Sequence, residues 1–210
     1  LGLKASCINK GMLLGSANLR QATVNDPLGV PSAVVRGTGQ NDTIRVTIDT
    51  AAIRVTVNDG MPQTFTFPEV QVVTVDGLEG HDTLTVTGSS ADEVGHVQPG
   101  SAVLRHDVCY PEPTPATRCD WDWALEVLHA EDVAADAAAG RDLVVVRDST
   151  GDDMLTAEGQ RVAFGFTEQE LEVLAMERVR AFSTRGGNDE VEVTEPLDYE
   201  LEPFGDWTNA

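Results

Sequence analysis

The stretch that decides the fold is EGHDTLTV at residues 79–86, in which a glycine turn ends in Asp82 and leads directly into alternating apolar and polar residues. The same arrangement recurs as GQNDTIRV at 39–46, AGRDLVVV at 139–146 and GGNDEVEV at 186–193. Alternation with a period of two indicates a β-strand, and the preceding glycine and aspartate favour a turn. The chain is therefore predicted to be all-β and built from a repeated unit of turn and strand.

The aspartates of these four turns are spaced by 40, 60 and 47 residues along the chain. The intervals indicate a unit of roughly 40 to 47 residues, with one enlarged copy. The extra length is assigned to an inserted loop at residues 105–123, which has no counterpart in the other units. Repeats of this kind favour a right-handed parallel β-helix, or solenoid, and the alternative is an irregular β-sandwich.

The predicted solenoid occupies residues 34–202, with an N-terminal segment or cap at 1–33 and a C-terminal cap or tail at 203–210. Residues 123–139 and 167–176 are rich in residues that favour helices. Because they take the place of a strand in the neighbouring unit, strand and turn are predicted there instead. No apolar run approaches the roughly 18 residues of a membrane helix, so membrane insertion is not expected.

The charge of the chain limits its partners. It contains 14 Lys and Arg against 35 Asp and Glu, which gives a formal net charge of −21. Nucleic acid is excluded as a partner, because proteins gain affinity for it by neutralising phosphates with basic residues. The acidic excess is compatible with cation binding and also with a simple role in keeping the protein soluble.

The glycine and aspartate turns resemble the calcium-binding nonapeptides of hemolysin-type repeat proteins, Gly-Gly-x-Gly-x-Asp-x-apolar-x, and residues 186–191 are the nearest copy. The longer unit, roughly residues 70–207, is similar to repeats of large secreted planctomycete-type surface proteins. The resemblance implies export to the cell surface or extracellular space, a stack of parallel β-coils, and bound calcium. The departure is that the copies here lie some 40 residues apart rather than in tandem.

The predicted calcium ligands are the turn aspartates Asp42, Asp82, Asp142, Asp153 and Asp189. Calcium takes six to eight oxygen ligands, so one aspartate in each turn is insufficient alone. A site requires Asp82 to stack on Asp42, or Asp189 to stack on Asp142 or Asp153. The alternative is that each aspartate only bonds the backbone of its turn.

The predicted insertion carries a second candidate site. Cys109 and Cys119 are close enough in sequence to pair as a disulfide, and Tyr110, Trp121 and Trp123 concentrate aromatic rings between and beside them. On a regular strand the two tryptophans would share one face, where they could form a platform for a sugar ring or a protein partner. The alternative is that the tryptophans fold back onto the core.

No catalytic motif is evident in the sequence. The four histidines lack metal-ligand spacing, and no serine occupies a nucleophile elbow. The predicted function is a non-enzymatic extracellular or cell-surface repeat module, structural or adhesive, stabilised by calcium and binding a glycan or another surface protein. The alternative is a β-helical polysaccharide lyase or glycoside hydrolase.

Overall fold

The computed structural model describes residues 22–25, 31–111, 117–166 and 169–209. Every regular element in these ranges is a β-strand, so the all-β prediction is confirmed. None of the described residues forms a helix that is long and apolar enough to cross a membrane. The predicted N-terminal segment lies almost entirely outside the described residues.

The described part of the chain contains nineteen strands. In chain order they are β1 (Ala22–Asn25), β2 (Pro31–Arg36), β3 (Thr43–Ile48), β4 (Ala52–Val57), β5 (Gln63–Thr66), β6 (Val72–Asp76), β7 (Thr83–Thr87), β8 (Glu93–Gln98), β9 (Ser101–Pro111), β10 (Thr117–Leu128), β11 (Asp132–Asp136), β12 (Leu143–Arg147), β13 (Met154–Gly159), β14 (Arg161–Phe166), β15 (Gln169–Leu174), β16 (Arg178–Ser183), β17 (Glu190–Leu197), β18 (Glu200–Gly205) and β19 (Thr208–Asn209).

These strands form two mixed sheets. The first has the order β1-β2-β6-β10-β9-β8-β12-β16-β18, and the second has the order β19-β17-β13-β14-β15-β11-β7-β3-β4-β5. The chain passes repeatedly from one sheet to the other and back, and strands of successive passes pair in parallel, as in β3-β7-β11-β15. Three antiparallel meanders, β3-β4-β5, β8-β9-β10 and β13-β14-β15, interrupt this parallel pattern.

The described residues of the segment at 105–123, predicted as an inserted loop, lie in the antiparallel strands β9 and β10, here called the β9-β10 hairpin. Its alternating Asp-Trp-Asp-Trp sequence is a strand pattern, and the strand pairs back onto β9. The register shifts between Trp121, which lies opposite Asp107, and Trp123, which lies opposite His106. This irregularity interrupts the simple alternation from which a shared tryptophan face was predicted.

The two segments with helical propensity are strands and turns, as predicted. Residues 123–139 contribute the end of β10 and the whole of β11, and residues 169–174 form β15. Strand β11 is hydrogen-bonded in parallel to β7 on one side and β15 on the other. Pairing on both edges satisfies the backbone along its length, and this tertiary context overrides the weak helical preference of its alanines.

The core lies between the sheets and follows the alternation seen in the sequence. In β3, for example, Ile44, Val46 and Ile48 are buried while the residues between them are exposed. The buried residues form two clusters, and Val133 and Ala135 of β11 pack against both. Burial of each such aliphatic side chain contributes about 1.5–3 kcal/mol, so the apolar interior stabilises the stacked strands.

Candidate functional site

The acidic turns lie where the chain passes between the sheets, and they stack on one another in three groups. Stack one contains the turns that end at Asp42 and Asp82, followed by Glu131. Stack two contains those that end at Glu93 and Asp142, followed by Glu177. Stack three contains those that end at Asp153 and Asp189. In each stack we call the first the upper turn and the second the middle turn.

A buried carboxylate of the middle turn accepts a hydrogen bond from the backbone of the upper turn in every stack. Asp82 Oδ1 accepts from the Asp42 N–H at 2.7 Å, Asp142 Oδ1 from the Glu93 N–H at 2.8 Å, and Asp189 Oδ1 from the Asp153 N–H at 3.0 Å. All three middle aspartates are at most 3% exposed. The aspartate of the repeated motif therefore joins consecutive turns.

A second bond runs in the opposite direction, one residue earlier in each turn. The side chains of Asn41, Asp92 and Asp152 in the upper turns accept hydrogen bonds from the backbone N–H groups of His81, Arg141 and Asn188 in the middle turns. In stacks one and two the third level continues the pattern. Glu131 Oε2 accepts from the Asp82 N–H, and Glu177 Oε2 accepts from the Asp142 N–H, both at 2.7 Å.

The glycine of the motif is needed for close stacking. Gly187 has a φ of 99°, and a Cβ atom on it would lie 1.9 Å from the carbonyl oxygen of Gly151 in the upper turn. Glycine is the residue that adopts this backbone conformation readily and leaves room for a second backbone. Gly80, Gly140 and Gly187, each two residues before a middle-turn aspartate, all have positive φ and lie close to the backbone of the turn above, so glycine is needed at this place in the middle turn.

The second oxygen of each carboxylate is satisfied in some turns and not in others. In the upper turns, Thr38 donates to Asp42 and Ser149 donates to Asp153, in each case through both backbone and hydroxyl. In the middle turn of stack three, the Ser183 hydroxyl donates to Asp189 Oδ2 at 2.6 Å. By contrast, Oδ2 of Asp82, Oδ2 of Asp142 and, in the upper turn of stack two, Oε2 of Glu93 are buried without a hydrogen-bond partner among the described residues.

Burial shifts the titration of these carboxyls. It raises the pKa of Asp142 to about 7, and the negative charges of Glu93 and Glu177 add to the effect. Burial also raises the pKa of Asp82 and the pKa of Glu93 above their ordinary values. The charged form is disfavoured because a carboxylate removed from water loses its solvation.

The five predicted calcium ligands all lie in these stacks, but their carboxylates are used for hydrogen bonds between or within turns. The structure brings Asp82 to Asp42 and Asp189 to Asp153, whereas Asp142 lies in another stack beside Glu93. Within the described ranges there is no group of three or more His, Cys, Asp or Glu side chains that could hold a metal ion. Most carboxylate oxygens of these turns already accept hydrogen bonds, whereas Asp82 Oδ2 and Asp142 Oδ2 have no partner among the described residues. Calcium, which needs six to eight oxygens, stays a prediction for these turns.

A cleft of about 320 Å³ opens beside the base of the β9-β10 hairpin. Trp123 and His106 line it from the hairpin, Phe67 and Gln71 from the connection between β5 and β6, Ser89 from the turn before β8, and Thr50 from the turn after β3. The cleft follows from the topology, because the meander places β10 and β9 between β6 and β8. The connections that enter β6 and β8 are thereby held about 14 Å apart, three strand spacings, and cannot stack.

Of the three predicted aromatic ligand-binding residues, Trp123 is the one whose side chain is described. It is only 3% exposed and belongs to the apolar core. Its ring lies nearly parallel to that of Phe67, with centroids 5.9 Å apart, and the His106 ring lies 6.4 Å away. Trp123 thus packs against the cleft walls rather than presenting an open ring face. The side chains of Tyr110 and Trp121 lie outside the described part of the structure.

The backbone register bears on the predicted disulfide. Cys119 of β10 lies directly opposite Cys109 of β9. Directly opposed residues of antiparallel strands have Cα atoms about 4.5–5.5 Å apart, which is within the range that a disulfide spans. The disulfide stays a prediction, supported by this register.

Several residues of the stacks and the cleft were not identified from the sequence. Glu93 carries a usable signal, because it follows Asp82 by eleven residues just as Asp153 follows Asp142. Glu131 and Glu177 carry no such signal, since they lie outside the glycine and aspartate motif and are recruited by stacking. His106 and Gln71 reach the cleft only through strand pairing, which the sequence pattern does not reveal.

Comparison with known proteins adds no relative: no protein-family model matches the chain, and neither a curated protein nor a solved structure matches it.

Proposed function

We propose that the chain is a structural, non-enzymatic repeat module of a secreted or surface-attached protein. The observation that carries this proposal is the repeated hydrogen bond from an upper-turn N–H to a buried middle-turn carboxylate. Acidic side chains that could otherwise act as acids, bases or ligands are here engaged with backbone groups. Buried polar groups of this kind stabilise a fold only when they are paired, so the motif serves stacking.

For the architecture, we propose a parallel β-solenoid with inserted meanders. Support comes from the regular passage of the chain between two sheets and from the parallel pairing of successive passes. The hand is expected to be right, as in nearly all crossovers between parallel strands. The irregular β-sandwich remains the alternative, because the meanders make both sheets mixed.

Export, surface attachment and adhesion to a glycan or another surface protein are proposed from the resemblance of the turns to those of secreted repeat proteins. The strongly acidic composition agrees with this role, since a net charge of −21 keeps a long array soluble and limits self-association.

Thermal unfolding in millimolar calcium and then in chelator tests the structural use of the carboxylates. Because the carboxylates already accept backbone N–H groups, we expect the two melting temperatures to agree. Calcium binding, which the resemblance implies, remains a prediction with the opposite outcome. A clear rise in melting temperature with calcium would show ligation by the native state and would overturn the view that the aspartates act only in stacking.

Incubation with neutral and uronate-containing polysaccharides tests the enzymatic alternative. A hydrolase releases new reducing ends, and a lyase releases unsaturated uronates that absorb in the ultraviolet. We expect neither product from this chain. Accumulation of either product in proportion to protein concentration would overturn the non-enzymatic assignment.

A further inference from the structure

We infer that the cleft at the base of the β9-β10 hairpin binds a neutral saccharide unit. The inference deepens the proposed surface module, on which it rests, by naming the site and the class of its ligand. It uses the cleft formed by Thr50, Phe67, Gln71, Ser89, His106 and Trp123.

The size and origin of the cleft favour a ligand rather than a packing defect. Its volume of about 320 Å³ lies in the range of small-molecule sites. Five separate segments of the chain line it, and Trp123 and His106 form a cross-strand pair on its β9-β10 side. Because that pair belongs to a hydrogen-bonded sheet, this side of the cleft is held in place before any ligand arrives.

The charge of the lining excludes two ligand classes. None of the described lining residues is acidic, and none is Lys or Arg, although 35 of the 210 residues of the chain are acidic. A metal ion or an organic cation would find no carboxylate in the walls. An anionic ligand such as a uronate would find no fixed cation and would meet the repulsion of a net charge of −21.

The remaining chemistry matches a neutral polyol with an apolar face. Phe67 is half-buried, so part of its ring is open to the cleft, and Pro68 beside it is exposed. Thr50 and Gln71 bring a hydroxyl and an amide, which can donate to and accept from sugar hydroxyls. A purely apolar ligand would displace water from these polar groups without replacing its hydrogen bonds, which is unfavourable.

The lining residues have different roles, which follow from their exposure and their ring contacts. Trp123 is 3% exposed and lies against both Phe67 and His106, so it positions those rings rather than contacting the ligand. Glu93, which lies opposite His106 across β8 and β9, receives the Ser89 hydroxyl and holds that wall in place. The contacts to a sugar would therefore come from Phe67, Thr50, Gln71 and His106.

The test is titration calorimetry of the full chain with cellohexaose, xylohexaose, mannohexaose and chitohexaose, with hexagalacturonate as the anionic counterpart. We expect at least one neutral oligosaccharide to bind with a Kd of about a millimolar or tighter, and the anionic one not to bind. Thr50→Trp, which fills the cleft from an exposed turn, should weaken that binding by about tenfold or more. Gln71→Ala should weaken it by a smaller factor.

Thr85→Trp is the matched control, because Thr85 is an equally exposed threonine on β7 that does not line the cleft. It should bind like the unmodified chain, and circular dichroism should show that both tryptophan variants are folded. The inference is overturned if no neutral oligosaccharide binds, or if Thr50→Trp binds as well as Thr85→Trp. The same mixtures are also analysed for cleavage products, which separates the two proposals. Binding with cleavage overturns the non-enzymatic assignment alone. Lack of binding without cleavage overturns this inference alone.

Discussion

The middle turns of stacks two and three have the same motif but different hydrogen bonding. Asp142 and Asp189 both follow a glycine by two residues, and both accept an N–H from the turn above. Asp189 also receives the hydroxyl of Ser183, the last residue of β16, whereas β11 is followed by Ala137, which has no hydroxyl, and the turn from there to Asp142 is one residue shorter. Asp142 Oδ2 is buried without a partner among the described residues.

The comparison shows that one sequence motif can produce two energetic situations. A buried carboxylate with both oxygens paired stabilises the turns it joins, since each bond replaces one lost to water. A buried carboxylate with one orphan oxygen still joins the turns but loses solvation, and its pKa rises. The two middle turns should therefore differ in their response to mutation.

The largest expected effect is the replacement of the fully paired aspartate. Asp189→Ala leaves the Asp153 N–H and the Ser183 hydroxyl buried without an acceptor, which should cost about 3 kcal/mol of unfolding free energy. Asp142→Ala removes one bond and also one unfavourable buried charge, so it should cost about 1 kcal/mol or less at pH 8. Urea unfolding of both variants at pH 8 measures the difference. Equal losses would mean that the Ser183 hydroxyl bond contributes nothing.

The second effect is a pH dependence that points the opposite way from that of a carboxylate in a salt bridge. The folded chain holds the proton of Asp142 up to about pH 7, while an aspartate in the unfolded chain releases it near 3.8. The folded state therefore binds more protons than the unfolded state between these values, and its stability falls as pH rises from about 4 to about 7. We expect the melting temperature to be higher at pH 5 than at pH 8.

Asp142→Asn isolates the contribution of this residue. The amide oxygen can still accept the Glu93 N–H, and the side chain carries no charge, so the variant should be more stable than the unmodified chain at pH 8 and little changed near pH 4. Glu192→Gln is the control, because Glu192 is an exposed carboxylate on β17. A pH profile that is the same for Asp142→Asn and the unmodified chain would contradict the assignment.

The smallest effect comes from restoring the missing donor. Ala137→Ser adds a hydroxyl directly after β11, in the turn that ends at Asp142. We expect it to donate to Asp142 Oδ2, as Ser183 donates to Asp189, and to raise the unfolding free energy by about 1 kcal/mol at pH 8. It should also lower the pKa of Asp142 and flatten the pH profile. Ala138→Ser is the control, because Ala138 is exposed with a φ of 66°. Equal unfolding free energies for the two serine variants would contradict the view that a hydroxyl can pair with Asp142 Oδ2.

The sequence predicts where the turns lie better than it predicts which residues from other turns form hydrogen bonds with them. The interval from Asp42 to Asp82 and the alternation after each aspartate identify the strands and the repeated turn. They do not reveal that Glu131 and Glu177 complete two of the stacks, because those residues come from turns without the motif. A local sequence pattern predicts the conformation of one turn, whereas the carboxylate that accepts a hydrogen bond from the N–H of that turn comes from a turn 35 to 49 residues away.

The meanders escaped prediction for a related reason. Strand β4 alternates through most of its length, and alternation does not tell a strand that crosses to the other sheet from one that turns back in the same sheet. That choice depends on the pairing partner. It also creates the cleft, since two antiparallel strands inserted between β6 and β8 separate the connections on either side.

By itself, then, the sequence determined the all-β class and the position of the aspartate turns, because propensity and periodicity are local properties. The tertiary structure decided which carboxylates are paired, which are buried without a partner, and that Trp123 packs under a neutral cleft. Those outcomes depend on residues far apart in the chain that meet only when successive turns stack, and stacking is a property of the assembled sheets.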